Sequence, residues 1–279
     1  MRKIAHLSDM HFGSHEPLVT ADLVKSVHAE KPDLVVLSGD FTQRARRWQF
    51  KAARDFVNQL PEPKLVIPGN HDMPLFNIVA RLFWPFSGYK KLIEPLGVGG
   101  AAYRDEEMAV LGLNTARRFT GKNGRISQGQ IDLVHEFLKD LGEGVTRILV
   151  THHPVGQVAN EVFVDLALGS QLALPRVVHA GVQMLLSGHH HRCLSGTIEE
   201  TEDQEQVLIV YAGTANSTRT REGDGNTYNL IYVDGHDIEV QVMRWVPGSG
   251  FKEGRTSRYR NGDDGWELLP TSEESLAAK

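Results

Sequence analysis

The sequence predicts an α/β protein, and two observations support this fold class. Over residues 4–67, short apolar runs rich in β-branched residues alternate with stretches of helical periodicity, in the order β-α-β-α-β. In addition, five predicted strands end in residues that can bind metals or move protons. Because this order implies parallel strands with helices across the faces, and such sheets bind ligands at the carboxyl ends of their strands, both observations indicate the same architecture.

The composition is that of a globular protein without a strong charge bias. The chain has 279 residues, of which 41% are hydrophobic and 23% charged, and its formal net charge is −5. This charge creates no global field that attracts nucleic acid, although a bound metal can still attract a nucleotide locally. The single cysteine, Cys193, fits a reducing compartment, and the first residues enter a strand without the pattern of a signal peptide. We therefore expect a cytoplasmic protein.

The first part of the chain carries the alternating elements. Apolar strands are predicted at residues 4–8, 34–37 and 65–67, the last of them stopped by Pro68 and Gly69. Amphipathic helices are predicted between these strands, at residues 18–30 and 48–60.

Between residues 73 and 107 the pattern loosens, because short helical pieces are interrupted by Pro85, Gly88 and Pro95. We predict a helical insertion here, near the site described below. Its aromatic residues, from Phe76 to Tyr89, can pack in the core, stack on a base or form a dimer contact, and we favour core packing.

The second part of the chain returns to regular elements. Strands are predicted at residues 108–113, 148–150 and 182–186, with a helix at 131–141. Four later strands alternate apolar and polar residues, and we expect them to be mostly antiparallel and to complete a second sheet. They are residues 195–199, 206–212, 227–233 and 238–245. One domain is therefore predicted over residues 1–246, followed by a tail, 247–279, that is poorly ordered or lies on the surface.

Acidic, amide and imidazole side chains follow five of the strands. They are Asp9 and His11; Asp40; Asn70 and His71; His152 and His153; and His189, His190 and His191. Each group alone has an ordinary explanation, because Gly-Asp and Gly-Asn form turns and a single histidine is more often a core residue. Together they indicate a metal site, because carboxylates and imidazoles rarely gather at one sheet edge without a compensating ion.

The donor atoms are oxygen and nitrogen, without thiolate. This set excludes a structural zinc finger and indicates Mn, Fe, Co or Zn in a catalytic role. Seven ligands drawn from these groups already exceed what one four- to six-coordinate ion needs, so we predict two ions about 3.5–4 Å apart, bridged by a carboxylate. Asp40 is the predicted bridge, since it lies alone between two richer groups, whereas Asp72 is expected to support the turn rather than to bind metal.

These blocks resemble those of the calcineurin-like metallophosphoesterases. The matching motifs are Asp9-x-His11, Gly39-Asp40, Gly69-Asn70-His71-Asp72, His152-His153-Pro154 and Gly188-His189-x-His191. They are most similar to the bacterial class III cyclic-nucleotide and glycerophosphodiester phosphodiesterases. The resemblance spans residues 4 to about 191 and implies a four-layer α/β/β/α sandwich of two mixed sheets flanked by helices.

The resemblance also implies a role for each residue of the site. It assigns one metal to Asp9, His11, Asp40 and His191, and the other to Asp40, Asn70, His152 and His189. His71 stays free of metal and acts on the substrate phosphate, by donating a hydrogen bond to a phosphoryl oxygen or by protonating the leaving alkoxide, a role worth about 10²–10⁴ in rate.

The expected function is that of a dinuclear-metal phosphodiesterase acting on small phosphodiesters such as 3′,5′-cyclic nucleotides or glycerophosphodiesters. The alternatives are a phosphomonoesterase or nuclease of the same superfamily, or a scaffold without catalysis. A monoanionic diester needs no dedicated arginine clamp, and none of the five blocks contains an arginine. Arg44 follows Asp40 closely, but we expect it and Arg219 to be solvated.

The expected partner is a small phosphoester substrate. We expect neither a membrane nor extended nucleic acid as a partner, since no apolar stretch is long enough to span a bilayer and no large basic surface is indicated. A homodimer is left open. For His153 and His190, contact with the substrate and a place outside the site are equally compatible with the sequence.

Overall fold

The computed structural model describes residues 1–159, 165–199, 206–221, 223–262 and 265–270. Over these residues the chain forms thirteen strands and six α-helices. The strands are β1 (Arg2–Leu7), β2 (Leu34–Leu37), β3 (Lys64–Val66), β4 (Ala102–Arg104), β5 (Met108–Leu113), β6 (Thr146–Thr151), β7 (Met184–Ser187), β8 (Leu194–Glu199), β9 (Gln206–Tyr211), β10 (Thr227–Asp234), β11 (Asp237–Val246), β12 (Gly250–Gly262) and β13 (Gly265–Leu269). The helices are α1 (Pro17–Glu30), α2 (Arg47–Val57), α3 (Ile78–Phe83), α4 (Ser87–Leu92), α5 (Gln128–Leu138) and α6 (Ser170–His179).

The strands form two mixed sheets. The first has the order β13-β12-β11-β10-β1-β2-β3, in which β1, β2 and β3 are parallel and the other neighbours are antiparallel. The second has the order β4-β5-β6-β7-β9-β8, with β5, β6, β7 and β9 parallel and the two edge strands antiparallel. Each sheet thus places a group of parallel strands with their carboxyl ends at one edge.

Three apolar clusters hold these layers together. One packs α1, α2 and α4 on the outer face of the first sheet, and a second packs α5 and α6 on the outer face of the second sheet. The third lies between the sheets, where Ile4 and Val36 of the first sheet meet Val150 and Leu186 of the second. The result is the predicted four-layer α/β/β/α sandwich.

The helices follow from their sequence. In α2 the residues at helical spacing, Phe50, Ala53 and Val57, are buried against the first sheet. Helix α1 starts with Pro17 at its first position, where the missing N–H costs no hydrogen bond, and Lys31 in the left-handed conformation closes it.

The placement of the late strands differs from the prediction. Only β8 and β9 join the second sheet, and β9 runs parallel to β7, whereas β10 and β11 join the first sheet beside β1. The period-2 pattern identifies a half-buried strand but contains no information about its neighbours, which is why the sheet was assigned wrongly.

The prediction of a poorly ordered or surface-lying tail is also wrong for residues 250–262 and 265–269, which form strands. Strands β12 and β13 extend the first sheet, and Tyr259 and Trp266 are buried in the apolar cluster between the sheets. The domain therefore continues past residue 246. Residues 271–279 lie outside the described residues.

The insertion at residues 73–107 contains α3, α4, short 3₁₀ turns and the edge strand β4. Of its aromatic side chains, Tyr89 is buried and donates a hydrogen bond to the carbonyl oxygen of Val66 at 3.1 Å. Core packing is the wrong prediction for Phe76, Phe83 and Trp84, whose side chains are exposed. No helix among the described residues has the length and apolar character needed to cross a membrane.

Candidate metal centre

The predicted site residues meet where the two sheets face each other. Asp9 and His11 follow β1, Asp40 follows β2, and Asn70 follows β3, all in the first sheet; His152 follows β6 and His189 follows β7 in the second. We expected these residues at the carboxyl ends of the strands of one sheet. The structure instead places them at the carboxyl ends of strands from both sheets. Because the sandwich places these edges together, donors far apart in sequence share one small volume.

The backbone at these positions is unusual. Five of the candidate ligands have a left-handed conformation, with φ between 43° and 74°: Asp9, His11, Asp40, His189 and His191. Non-glycine residues rarely adopt it, although aspartate and histidine do so more readily than most. Such strain is concentrated at functional sites, where the surrounding structure imposes it.

Two glycines of the blocks are required because a carboxylate lies directly against their backbone. A Cβ at Gly69 would lie 2.1 Å from Asp40 Oδ1, and one at Gly188 would lie 2.6 Å from Asp9 Oδ2. The carboxylates therefore rest directly on glycine backbone. This explains why glycine stands immediately before Asn70 and His189.

Asp40 lies between the two groups of donors. Its Oδ2 is 3.3 Å from His152 Nε2 and 3.7 Å from His11 Nε2, and its Oδ1 accepts a hydrogen bond from the backbone N–H of His71 at 2.8 Å. Asn70 Oδ1 is 3.2 Å from His152 Nε2. One carboxylate therefore faces donors on both sides, the position that a bridging ligand requires.

A second group surrounds Asp9. Its Oδ1 is 3.5 Å from His11 Nε2 and 3.4 Å from His191 Nε2, and these two nitrogens are 3.3 Å apart. Asp9 Oδ2 accepts a hydrogen bond from the backbone N–H of His189 at 2.9 Å. The second oxygen therefore fixes the carboxylate while Oδ1 faces the imidazoles.

Backbone carbonyls orient three of the imidazoles. Nδ1 of His71 donates to the carbonyl oxygen of Gln43 at 2.8 Å, and Nδ1 of His152 donates to that of Ser38 at 2.8 Å. For His191 the acceptor is the carbonyl oxygen of Arg219, at 2.6 Å. An Nδ1–H held in this way leaves the lone pair on Nε2, which faces the centre, as metal-ligating histidines require.

The donors fit metal ions. The buried Asp9 Oδ1 has no hydrogen-bond partner among the described residues, although an unpaired buried carboxylate oxygen is costly. The groups Asp9–His11–His191 and Asp9–Asp40–His152 each place one ligand atom per residue within 4.8 Å of one another. Oxygen and imidazole nitrogen donors in this number suit divalent transition metals.

The electrostatics of the centre favour anionic carboxylates. Burial acts to raise the pKa of Asp40, but the imidazoles of His152 and His71 lower it well below its ordinary value. Burial acts to lower the pKa of His152, and the Asp40 carboxylate reverses this effect and raises it to about 9. At His189 burial dominates and lowers the pKa to about 3, which leaves a neutral imidazole. Ionised carboxylates and the neutral imidazole of His189 are metal-binding forms, whereas an ion that binds Nε2 of His152 must displace the proton that Asp40 stabilises there.

Asp72 supports the turn, as its position predicts. Its carboxylate accepts hydrogen bonds from the backbone N–H groups of Phe41, Thr42 and Gly69 at 2.9–3.2 Å. Burial, together with the charge of Asp40, raises the pKa of Asp72 to about 7. The turn after β3 is therefore tied to the turn after β2, which carries Asp40.

The sequence interpretation undervalued two residues beside the centre. Arg219 Nη1 donates to His71 Nε2 at 3.2 Å, so this arginine reaches the site that we expected it to avoid. His153 is completely buried, and its Nδ1 is 2.8 Å from Thr115 Oγ1. No local motif marks Arg219, because it lies in the connection between β9 and β10, far in sequence from the blocks.

A cavity of about 250 Å³ opens beside His71 and Asn70. Its wall includes Leu75 and Arg81 of the insertion, and on other sides Arg44 and Lys122. The insertion thus contributes to the wall of the space next to the centre. Arg44, which we expected to be solvated, also lines this cavity.

Comparison with known proteins identifies the family. A model of the calcineurin-like phosphoesterase family matches residues 2–193. A probable cyclic nucleotide phosphodiesterase from a Synechococcus strain is 29% identical over 168 residues, which are 58% of each chain. The glycerophosphodiester phosphodiesterase GpdQ of Enterobacter lignolyticus is 38% identical over 80 residues, 25% of this chain and 29% of GpdQ. The chain thus spans less than two thirds of either relative.

Solved structures share the fold at low sequence identity. A dimetal phosphatase from Danio rerio superposes with a TM-score of 0.62 at 13% identity, covering 92% of this chain and 98% of its own. The purple acid phosphatase PPD1 from yellow lupin gives a TM-score of 0.61 at 11% identity, covering 91% of this chain and 53% of its own. These similarities confirm the predicted four-layer sandwich.

Proposed function

Because this chain belongs to the calcineurin-like phosphoesterase family, we propose that it is a metal-dependent hydrolase of phosphoric esters that acts on small phosphodiesters. The observation that carries the proposal is Asp40, whose carboxylate stands between two groups of metal-binding donors while the backbone N–H of His71 fixes its other oxygen. The proposed metal ligands are those expected from the sequence: Asp9, His11, Asp40, Asn70, His152, His189 and His191.

Two bound divalent ions, of which Mn, Fe, Zn and Co are the candidates, would supply Lewis acidity that lowers the pKa of a water to about 7 and neutralises charge on the phosphate. The residues of the chain have separate tasks. The seven proposed ligands would hold the ions, and the carbonyl oxygens of Ser38 and Arg219 orient His152 and His191 by accepting from Nδ1–H. The glycine-supported turns keep these groups in place without rearrangement.

His71 and Arg219 are the groups available to the substrate. Nδ1–H of His71 is engaged by Gln43, so Nε2 faces the site and carries a proton only in the imidazolium form. A substrate phosphate would lie between Nε2 and the Arg219 guanidinium. His71 then donates to a phosphoryl oxygen or protonates the leaving alkoxide, while Arg219 donates to another phosphoryl oxygen.

The choice of a diester rests on two considerations. The relatives named above carry the names probable cyclic nucleotide phosphodiesterase and glycerophosphodiester phosphodiesterase. In addition, a diester carries one negative charge, so it needs fewer cationic side chains beside the ions than a dianionic monoester does. Cyclic nucleotides and glycerophosphodiesters are the proposed substrates, and a cytoplasmic location stays a prediction.

The test is a substrate panel with protein loaded with Mn²⁺. The panel contains bis-p-nitrophenyl phosphate, p-nitrophenyl phosphate, cyclic AMP and a glycerophosphodiester. We expect a higher kcat/KM for at least one natural diester than for the monoester. A higher kcat/KM for the monoester than for every diester would overturn the diester assignment and favour a phosphomonoesterase.

Metal analysis separates the enzyme from a scaffold. Protein purified without chelator is expected to contain metal, and activity is expected to rise on addition of Mn²⁺. A metal content near zero, with no hydrolysis after Mn²⁺ is added, would contradict the proposal and favour the scaffold. Cleavage of DNA with strongly salt-dependent binding would instead favour a nuclease.

A further inference from the structure

The insertion leaves an apolar surface uncovered beside the cavity next to His71. Helix α3 buries none of its six residues, four of which are large and apolar at positions 78, 79, 82 and 83. Among the described residues, seven of the fifteen exposed large apolar side chains lie on this helix or next to it. The surface, which we call the α3 face, consists of Leu75, Phe76, Ile78, Val79, Phe83 and Trp84, with Phe119 from a neighbouring loop.

Exposure on the α3 face is extensive. Phe76, Phe83 and Trp84 expose 77%, 68% and 63% of their surface, and Phe119 exposes 78%. Single exposed apolar residues are ordinary on a protein surface, but a contiguous group of this size marks an interaction site. The group therefore requires an occupant.

The α3 face is held as one piece. Arg81 Nε donates to the carbonyl oxygen of Arg118 at 2.9 Å, and Arg118 in return donates to the carbonyl oxygen of Leu82. The ring centroids of Phe83 and Trp84 are 5.8 Å apart. The loop that carries Phe119 and helix α3 thus present their apolar side chains together, without the need to order a flexible segment on binding.

The surroundings of the α3 face are strongly basic. Residues 73–93 contain three basic residues, Arg81, Lys90 and Lys91, and no acidic residue. Residues 114–131 contain four, Arg117, Arg118, Lys122 and Arg125, and again no acidic residue. Two segments of a chain with a net charge of −5 therefore contribute seven basic residues and no acidic one, and of the seven Lys122 pairs with Asp165 from another loop. The occupant is expected to be anionic as well as apolar.

This combination discriminates between occupants. A second copy docked through the same face would bring the same cations together, which is unfavourable. Nucleic acid would satisfy the cations and the exposed rings, but it would leave the aliphatic Leu75, Ile78 and Val79 without an apolar partner. An anionic lipid bilayer suits both the apolar and the basic side chains. The apolar side chains insert at the boundary of headgroups and acyl chains, and the basic side chains contact the lipid phosphates.

We propose that the α3 face docks the protein reversibly on an anionic lipid bilayer. Docking brings the cavity beside His71 close to the headgroups, because Leu75 of the face and Arg81 of α3 also line that cavity. The proposal departs from the expectation that the protein has no membrane partner, and it does not depend on the proposed activity.

Vesicle flotation of the full chain tests the proposal. The probes are vesicles of phosphatidylglycerol and phosphatidylethanolamine, and neutral vesicles of phosphatidylcholine. We expect binding to the anionic vesicles only, and binding that weakens as NaCl rises. Each basic residue near the bilayer strengthens binding about fivefold, so Lys91→Gln, at a residue that lines a cavity together with Pro74 and Pro85 beside α3, is expected to weaken it by up to about that factor.

The decisive variant combines Phe83→Ser and Trp84→Ser. Removing two side chains that insert is expected to weaken vesicle binding at least about tenfold. The matched control is Leu172→Ser, which removes an equally exposed apolar side chain of α6, at 70% exposure, and is expected to leave binding unchanged. Thermal unfolding of all variants is expected to match the wild type, since the replaced side chains are exposed.

Two kinds of result would overturn the proposal. One is equal flotation of the wild type with anionic and neutral vesicles, or unchanged flotation of the Phe83/Trp84 variant. The other is a dimer in light scattering, or binding to DNA, that the Phe83/Trp84 variant loses while vesicle binding stays the same. That outcome would assign the α3 face to a second copy or to nucleic acid.

Discussion

Asp40 connects the two halves of the centre at the scale of a single residue. One of its oxygens is held by the backbone N–H of His71, and the other faces His152 and His11. His71, by contrast, accepts a hydrogen bond at Nε2 from Arg219, a residue outside the set of proposed ligands. The two residues are neighbours in space, but we expect their replacement to affect different properties, metal occupancy for Asp40 and kcat for His71.

For Asp40→Ala we expect occupancy of both metals to fall, because the variant lacks the shared ligand. For His71→Ala we expect metal content to stay the same while kcat falls by about 10²–10⁴, because His71 acts on the substrate. Elemental analysis of the purified variants, together with kcat on a diester, measures both quantities. Loss of metal from His71→Ala to the extent seen for Asp40→Ala would show that His71 is a ligand.

Arg219 is expected to hold the substrate phosphate. For Arg219→Gln we expect kcat/KM on a diester to fall about 10- to 100-fold, because a hydrogen bond to a charged group contributes about 1.5–3 kcal/mol. Arg219→Lys keeps the charge and is expected to recover part of this loss. Arg258→Gln, which removes an arginine paired with Glu239 on the outer strands, is the control and should leave kcat/KM unchanged. Equal effects of the two glutamine variants would exclude the role of Arg219.

The two classes of site residue differ in how far the sequence predicts them. Asp9, Asp40 and the histidine blocks follow strands directly. The predicted strand ends and the local motifs are therefore sufficient to predict that these residues form one site. Arg219 reaches His71 only because β10 pairs with β1 and carries the preceding connection back over the site. That pairing is a tertiary fact, which no spacing in the sequence contains.

At the scale of the elements, α4 shows how tightly the insertion is seated on the domain. A Cβ at Gly88 would lie 2.4 Å from a ring carbon of the buried Phe50 in α2. For Gly88→Ala we expect the free energy of unfolding to fall, because overpacking costs about 1–3 kcal/mol and the gain in helix propensity is at most about 1 kcal/mol. Denaturant unfolding measures the change. Gly99→Ala, where a Cβ meets nothing within 4 Å, should show no loss.

The hairpin of β12 and β13 belongs to the folded domain. Trp266 is buried in the cluster between the sheets, whereas Leu268 on the same strand is 62% exposed. We expect Trp266→Ala to lower the free energy of unfolding by about 3–5 kcal/mol, the range for large buried aromatics. Leu268→Ala should change it by less than about 0.5 kcal/mol. Urea unfolding measures both changes. Similar small effects of the two variants would show that this segment is a surface tail and not part of the folded domain.

The hairpin was missed because an edge strand carries little apolar signal. In β12 only Phe251 and Tyr259 are buried, and most other positions carry charged or polar residues that face solvent. Alternation over so few apolar residues is too weak to distinguish a strand from a loop. By contrast, β1 to β3 are buried on both faces and were predicted from their continuous apolar runs.

At the scale of the whole molecule, metal binding and folding are linked. The donors come from strands of both sheets, so an ion that binds them stabilises the folded state and has no comparable site in the unfolded chain. Free Mn²⁺ at 100 times its Kd is expected to stabilise the fold by about 2.7 kcal/mol, and so to raise Tm by about 5 °C. Thermal unfolding with Mn²⁺ and with chelator measures this shift. Asp40→Ala should lose most of it, and an equal shift in that variant would place the ion elsewhere.

The left-handed backbone at the ligand positions has a consequence for how this sequence changes over generations. Each of these non-glycine residues holds a conformation that costs about 1–2 kcal/mol relative to the common one, a cost that glycine would not bear. In a lineage released from any need for the ions, drift towards glycine at Asp9, His11, Asp40, His189 and His191 would therefore bring greater stability. The stability of the fold therefore does not by itself explain these five side chains.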